Sequence, residues 1–433
     1  MKKNLLYLSA ALLGVVACAK TGQQDIPVDN PIEISFPKPT EAITKVELTP
    51  SQLSYVEGNN RMALRLLQEL YPDSSFLCSP LSLQFALSMT ANGASGETLR
   101  EITDFLGFGK EGIDALNAFN KTLLEQLPAV DLDVELSLTD ALLVNKKYPL
   151  QKNYQKTVED NYYAAVENAD LSNPETVAAR INEWAKRNTN GFIDQILNPA
   201  DISPNSAAYL MNALYFKAKW AELSSPMFME EATRKEDFTL PDGKKTQVSM
   251  MNSSHPLSYA QMDGYRVLAL PYAGHKFFMY IVLPDNNDLK ALAAKLTNTS
   301  WKTIVGSLQN DAIVHLKLPK FELENRFKLS DNLKALGIRS AFQGDASFDR
   351  MFTASSNGVR FCIDEVYQKA RINVAEWGTE AAAVTVVAVN EGSPGPGIEY
   401  KKVDFHADHP FFFFIGEASS GTILFEGAYT GKV

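Results

Sequence analysis

The 433-residue chain is poor in the side chains on which most protein chemistry depends. It has 3 cysteines and 5 histidines, too few cysteines for a scaffold stapled by disulfides. None of the histidines, His255, His275, His315, His406 and His409, has a metal-ligand spacing such as HExxH, and no metal site is expected. His406 and His409 stand closest together, but the Pro410 and phenylalanine run beyond them reads as strand. There their spacing puts them on opposite faces. No GxGxxG and no phosphate loop occurs, so no nucleotide cofactor is expected. Gly93-Ala94-Ser95-Gly96 falls one residue short of a GxSxG nucleophile elbow. Carboxylates are plentiful, but no catalytic pair stands out among them, and the chain is not expected to be an enzyme. Basic runs of five or more residues are absent and the formal net charge is −10. Nucleic acid and heparin-type polyanions, which need a dense basic surface, are therefore not expected partners.

The chain starts with Lys2 and Lys3, an apolar stretch from Leu5 to Val16, and the small-residue sequence Val15-Val16-Ala17-Cys18. The apolar stretch is short for a spanning helix. It resembles a bacterial lipoprotein signal, in which residues 1–17 are removed and Cys18 is lipidated as the new first residue. An ordinary secretory signal with a chance cysteine is the alternative. The resemblance implies an exported protein, lipid-anchored in the bacterial cell envelope, at the outer membrane on its periplasmic or surface face. Removing residues 1–17 takes two lysines away, so the formal charge becomes −12. Pro27, Pro31, Pro37 and Pro39 among polar residues mark 18–45 as a flexible tether. Cys78 and Cys362 both have apolar neighbours, and both are expected to be buried, inert thiols rather than a pair.

Residues 46–433 contain no second Pro/Gly-rich linker and no internal repeat, and they read as one large domain. Met62, Leu64, Leu66, Leu67 and Leu70 give a helix that Thr49 or Ser51 can cap. Ser79 before Pro80 reads as the cap of a second helix, and the small Ser82, Ala86 and Ser88 suggest that it packs closely on a sheet. A short helix follows from Gly96 to Gly107, and Leu116, Phe119, Leu123 and Leu127 have helical spacing. Leu132, Val134, Leu136 and Leu138 alternate as a strand does. Val177, Ile181, Trp184 and Ala185 form a helical face. Strands then dominate at 208–216, 267–272, 277–283 and 314–318, with a helix at 331–336. Helices early and strands late give an α+β class rather than a doubly wound sheet.

The segment from Glu376 to Ile415 stands apart. Ala381, Ala382, Ala383, Val384, Thr385, Val386 and Val387 are small or β-branched and suit a strand. They run directly into Asn390–Gly397, where Gly and Pro prevent regular pairing and an exposed loop is expected. By itself this is an edge strand followed by a surface loop.

Motifs elsewhere change that reading. Asn212-Ala213-Leu214-Tyr215-Phe216-Lys217-Ala218-Lys219-Trp220, the segment Phe76–Gly107, and Ile181–Ile193 with Trp184, Thr189 and Gly191 resemble serpin sequences. So do Leu316–Phe321, Leu333–Phe342 with Ala346, Asp349 and Met351, Phe405–Phe411, and Ile423–Gly427. The resemblance covers about residues 46–433. It implies one large mixed β-sheet plus two smaller sheets, about nine helices and an exposed reactive loop on a metastable, monomeric body. It also implies an inhibitor of serine-type, and in some members cysteine, endopeptidases that acts as a suicide substrate. The protease cleaves the loop, the loop enters the large sheet, and the protease stays trapped as an acyl-enzyme. The partner is then the target protease, held in a covalent complex. A non-inhibitory member serving as a binding module, and a surface-attached hydrolase, are the competing readings.

Carried over residue by residue, the resemblance makes Glu376, Gly378, Thr379, Glu380, Ala381, Ala382, Ala383 and Thr385 the hinge. Ser79, Ser82, Asn212 and Gln368 become the shutter, and Trp220 marks the breach. Strand alternation puts Thr379, Ala381, Ala383 and Thr385 on the face that must enter the core, and all are small. Thr379 is expected to be unburied until the loop inserts. Counting along the loop from Glu376 puts the scissile bond at Gly392-Ser393, and slippage would offer Glu391, Asn390 or Val389 instead. Three departures from the family pattern stand out. Gln368 replaces a histidine, Trp377 replaces a polar or charged residue, and the loop is long and Pro/Gly-rich from Gly392 to Gly397.

Overall fold

The computed structural model describes residues 39–432, apart from Pro72, residues 109–111, Ser224, Asn298, Gly358 and residues 380–399. Helix α1 (Pro50–Leu70) begins at Thr49. The Thr49 N–H donates to Gln52 Oε1 at 2.9 Å, and Gln52 N–H donates back to Thr49 Oγ1 at 3.2 Å. Two otherwise unpartnered donors are satisfied at once. After β1 (Phe76–Cys78), Ser79 caps α2 (Pro80–Gly93) through a 3.1 Å bond from Ser82 N. Every residue of α2 except Ala86 and Asn92 is buried, which only a helix small or apolar on all sides can tolerate.

The chain continues through α3 (Gly96–Phe105), α4 (Ile113–Gln126), β2 (Glu135–Asn145), α5 (Lys152–Tyr162), β3 (Ala165–Ala169), α6 (Pro174–Asn188) and β4 (Ala208–Lys219). The alternation seen from Leu132 becomes strand only at Glu135, and Leu132 itself is exposed. Next come β5 (Arg234–Thr239), β6 (Lys245–Met262), β7 (Tyr265–Pro271), β8 (Phe277–Pro284), α7 (Leu289–Leu296), α8 (Trp301–Gly306), β9 (Gln309–Pro319), β10 (Phe321–Lys328) and α9 (Ser330–Ala335). The last strands are β11 (Tyr367–Ala375), β12 (Gly378–Thr379), β13 (Lys401–His406), β14 (Phe411–Glu417) and β15 (Ile423–Tyr429). Nine α-helices and fifteen strands among the described residues make the class α+β.

The strands form two hydrogen-bonded networks. One has nine strands in the order β1-β15-β14-β8-β7-β6-β9-β13, with β5 on β6. It joins what the family resemblance gives as two smaller sheets, because the long β6 pairs with β5, β9 and β7 along its length. The other is a mixed six-stranded sheet, β10-β11-β12-β4-β2-β3, in which only β2 and β3 are parallel. Alternation gives this sheet two apolar faces. Leu142, Leu214, Phe216, Ala370, Ile372 and Val374 join the main core with α2, whereas Ala141, Leu143, Met211 and Ala213 pack with Val177, Ile181 and Trp184 of α6.

Two expectations are corrected. Cys78 is buried, but Cys362 is exposed and both thiols are free. Cys362 lies in the extended segment entering β11, where its neighbours Phe361 and Ile363 turn toward the core and leave it facing outward. His409 is not on a strand. It sits in the link between β13 and β14, its ring nitrogens 2.9 Å from Asp408 Oδ1 and 2.8 Å from the Pro284 carbonyl. No group of three potential ligands for a metal occurs among the described residues.

Candidate functional site

The site is the place where β11 and β4 fail to pair. After β11 the chain turns at Glu376 and Trp377 and comes back as β12, a strand of two residues. Gly378 pairs with Ala375 and Lys219, and Thr379 pairs with Val374 and Ala218. Below Thr379, β11 and β4 share no pairing among the described residues. The turn needs glycine: Gly378 has φ +152, and a Cβ there would meet the Ala218 carbonyl and lie 2.8 Å from Lys219 Cα.

An aromatic platform closes the top of the gap. Trp220 stacks on Tyr272 with ring centroids 4.7 Å apart. Its indole N–H donates to the Ala375 carbonyl at 2.9 Å, and its backbone N–H donates to Trp377 O at 3.1 Å. The Tyr272 and Thr379 hydroxyls are 2.6 Å apart. Thr379 is thus 2% exposed, contrary to the expectation that it stays unburied. The reason is local. The turn folds Thr379 back over the core, and Tyr272 gives its hydroxyl the partner that a buried polar group needs.

Glu376 anchors the outer side of the turn. Its Oε1 accepts from Thr233 Oγ1 at 2.8 Å and its Oε2 from Lys320 Nζ at 2.8 Å. Burial pushes this carboxyl up, but the Lys320 ammonium, the backbone and the Thr233 hydroxyl outweigh it and hold the pKa below the ordinary value. A depressed carboxyl contributes stability that is present above its unfolded pKa and disappears as the pH falls through its folded one. Glu376→Gln should therefore lower the unfolding midpoint at neutral pH, and the difference from the wild type should vanish on acidification. Because Lys320 is 45% exposed, solvent screening limits the loss to about 1 kcal/mol.

Deeper in the sheet, the start of α2 bridges the two unpaired strands. On the β11 side the Gln368 amide holds the Ser79 peptide at both ends. It accepts from Ser79 N at 3.0 Å and donates to Ser79 O at 2.8 Å. Ser79 Oγ donates to Leu424 O of β15 at 2.8 Å. On the β4 side Ser82 Oγ donates to Asn212 Oδ1, and Asn212 Nδ2 donates to Asp140 Oδ1 of β2 at 2.8 Å. Glutamine in place of the family histidine thus supplies a donor and an acceptor together. Beyond this bridge lies a cavity of about 450 Å³ between 207–212 at the start of β4 and the segment 360–369, floored by Ser82, Ala86 and Thr90 of α2.

The structure therefore brings Ser79, Ser82, Asn212 and Gln368 together, and it gathers Trp220, Glu376, Gly378 and Thr379 at the top of the same gap. Glu380, Ala381, Ala382, Ala383, Thr385, Val389, Asn390, Glu391, Gly392, Ser393 and Cys18 lie outside the described residues. Sequence reasoning missed Tyr272, Thr233 and Lys320, the partners of Thr379 and Glu376. It also passed over Asp140, although an acid inside the apolar run Leu138–Val144 is a visible signal.

Comparisons with known proteins agree with this architecture. Residues 57–431 match the model of the family described as Serpin (serine protease inhibitor). Serpin-ZX of Arabidopsis thaliana is 32% identical over 84% of this chain and 94% of its own. An uncharacterized serpin-like protein of Thermococcus kodakarensis is 31% identical over 99% of this chain and 98% of its own. The crystal structure of the thermophilic serpin tengpin in the native state superposes with a TM-score of 0.78 at 28% identity, covering 90% of this chain and 97% of tengpin. The chain belongs to the serpin family, whose members are mostly protease inhibitors rather than enzymes and generally bind their target proteases.

Proposed function

We propose that this serpin is a suicide-substrate inhibitor of serine-type and also of cysteine endopeptidases that traps its target by inserting the reactive loop between β11 and β4. The observation that carries this reading is β12, a strand already begun in the gap. Extending its register residue by residue puts Ala381 between Phe216 and Ile372, Ala383 between Leu214 and Ala370, and Thr385 between Asn212 and Gln368. These three share the core face with Thr379, and each is small enough to enter over α2. Glu380 falls on the opposite face between Lys217 and Asn373, so its charge need not be buried.

The protease nucleophile attacks the carbonyl before the scissile bond, the amine of the following residue leaves with a proton, and an ester or thioester links the two proteins. Each residue that then enters the sheet gains ladder bonds to β11 or β4 in alternation, worth about 1 kcal/mol net per residue. That drives the trapped enzyme away before water can reach the ester. Gly392-Ser393 is the proposed bond, with Val389, Asn390 and Glu391 as neighbouring choices. In the cell the protein would be held on the envelope by a lipid at Cys18, which the mass of the mature N-terminal peptide checks.

Mixing the soluble domain with elastase-like, subtilisin-like and papain-like enzymes tests this reading. A complex that survives denaturing electrophoresis with at least one of them is expected. Loop cleavage by every enzyme without any complex would instead assign the chain to the non-inhibitory serpins.

A further inference from the structure

Asp140 sits inside the six-stranded sheet, buried and, among the described residues, without a cation beside it. Its direct partner across β2 and β4 is Asn212, whose Nδ2 donates to Asp140 Oδ1 at 2.8 Å. Asn212 Oδ1 in turn accepts from Ser82 Oγ on α2. An amide has one accepting end and one donating end, so Asp140 Oδ1, which accepts whether the carboxyl is ionised or carries its proton on Oδ2, takes the donating end of Asn212 and determines which way round it sits. In that orientation alone its oxygen faces Ser82. The other carboxyl oxygen, Asp140 Oδ2, has no hydrogen-bond partner among the described residues.

The surroundings contain little that titrates. Helix α2 carries no charged residue. From α4 come Asn117 and Asn120, and from α5 comes Tyr162, whose phenol donates to Asn117 Oδ1 at 2.7 Å and feels the Asp140 charge. Lys121 pairs with Glu125 and Lys156 with Asp160 along their own helices. Asp114, Lys152 and Glu159 are exposed. Glu167 of β3 pairs with Arg180, and Glu135 pairs with Lys217 at the far end of the strands.

We propose that Asp140 is a positioning residue for sheet opening: its buried carboxyl sets Asn212 against Ser82 and couples the stability of the closed sheet to pH. The consequence for loop insertion rests on the inhibitory reading above, whereas the consequence for stability does not. Burial, opposed only by the Asn212 hydrogen bond, raises the carboxyl from 3.8 to about 7. Between those values the folded sheet keeps a proton that the unfolded chain releases. Stability is therefore complete in acid, is lost as the pH rises toward about 7, and is level above it. Each pH unit in that window is worth about a tenfold change in the folding equilibrium.

Unfolding of the intact native protein, wild type against Asp140→Asn, measures this without any protease. Its failure thus leaves the inhibitory reading standing, and the reverse also holds. Asparagine keeps the shape and the acceptor for Asn212 but cannot ionise. The ratio of the variant's folding constant to that of the wild type should rise about a hundredfold from about pH 5 to about pH 7 and then stay level. A ratio independent of pH overturns the proposal. Asn212→Ala, which removes the one bond to the carboxylate, should move the loss to higher pH, and an unmoved profile contradicts the positioning role. Infrared spectra of wild-type protein labelled with ¹³C at the aspartate carboxyl keep the proposal falsifiable if neither variant folds. A carboxylic-acid band should persist to about pH 6 and fade through about pH 7, and its absence at the lower value overturns the assignment.

Discussion

Thr379→Arg is expected to turn the inhibitor into a substrate. In the wild type Thr379 is 2% exposed, its hydroxyl 2.6 Å from that of Tyr272. A guanidinium has no partner there, and burying it would cost several kcal/mol even after relaxation. Before cleavage the variant can escape that cost, because β12 is only two residues long and can leave the sheet. Leaving forfeits one side-chain hydrogen bond and a few ladder bonds, roughly 1–3 kcal/mol in all. After cleavage no such escape exists, since insertion must carry residue 379 into the core ahead of everything else. A difference of about 3 kcal/mol slows insertion relative to deacylation by about a hundredfold. The stoichiometry of inhibition should rise steeply, while the rate of protease attack on the loop hardly changes. Equal stoichiometries for the two proteins would show that insertion does not pass through Thr379.

Cleavage of the loop should raise the unfolding temperature far more than any substitution lowers it. The inserted segment becomes a central strand with β11 on one side and β4 on the other, where the native sheet has two paired residues. Some ten further residues at about 1 kcal/mol each give about 10 kcal/mol, which for a body of this size corresponds to a rise of about 10 °C. Calorimetry of intact and cleaved protein checks this. Coincident transitions would mean that the cleaved loop stays outside the sheet.

The local features of the site were legible in the sequence because local physics sets them. Ser79 before Pro80 caps α2 as its residue types require. The depth to which β12 is docked was not legible. It depends on Tyr272, brought to Thr379 from across the fold by the Trp220 stack, and no periodicity in the hinge itself encodes that partner. Glu376 likewise finds Thr233 and Lys320 only in three dimensions. Strand β6 escaped notice because β5, β9 and β7 cover different parts of it, so its burial follows no single alternation. Cys362 misled because apolar neighbours in an extended segment face away from the residue between them.

The inhibitory mechanism depends on where the loop goes. A structure of the loop-cleaved protein tests it most directly. The prediction is a full-length strand between β11 and β4 in the register already begun at Gly378 and Thr379, with Thr385 flanked by Asn212 and Gln368. If β11 and β4 remain unpaired below Thr379 after cleavage, or if the strand enters in another register, that mechanism is contradicted.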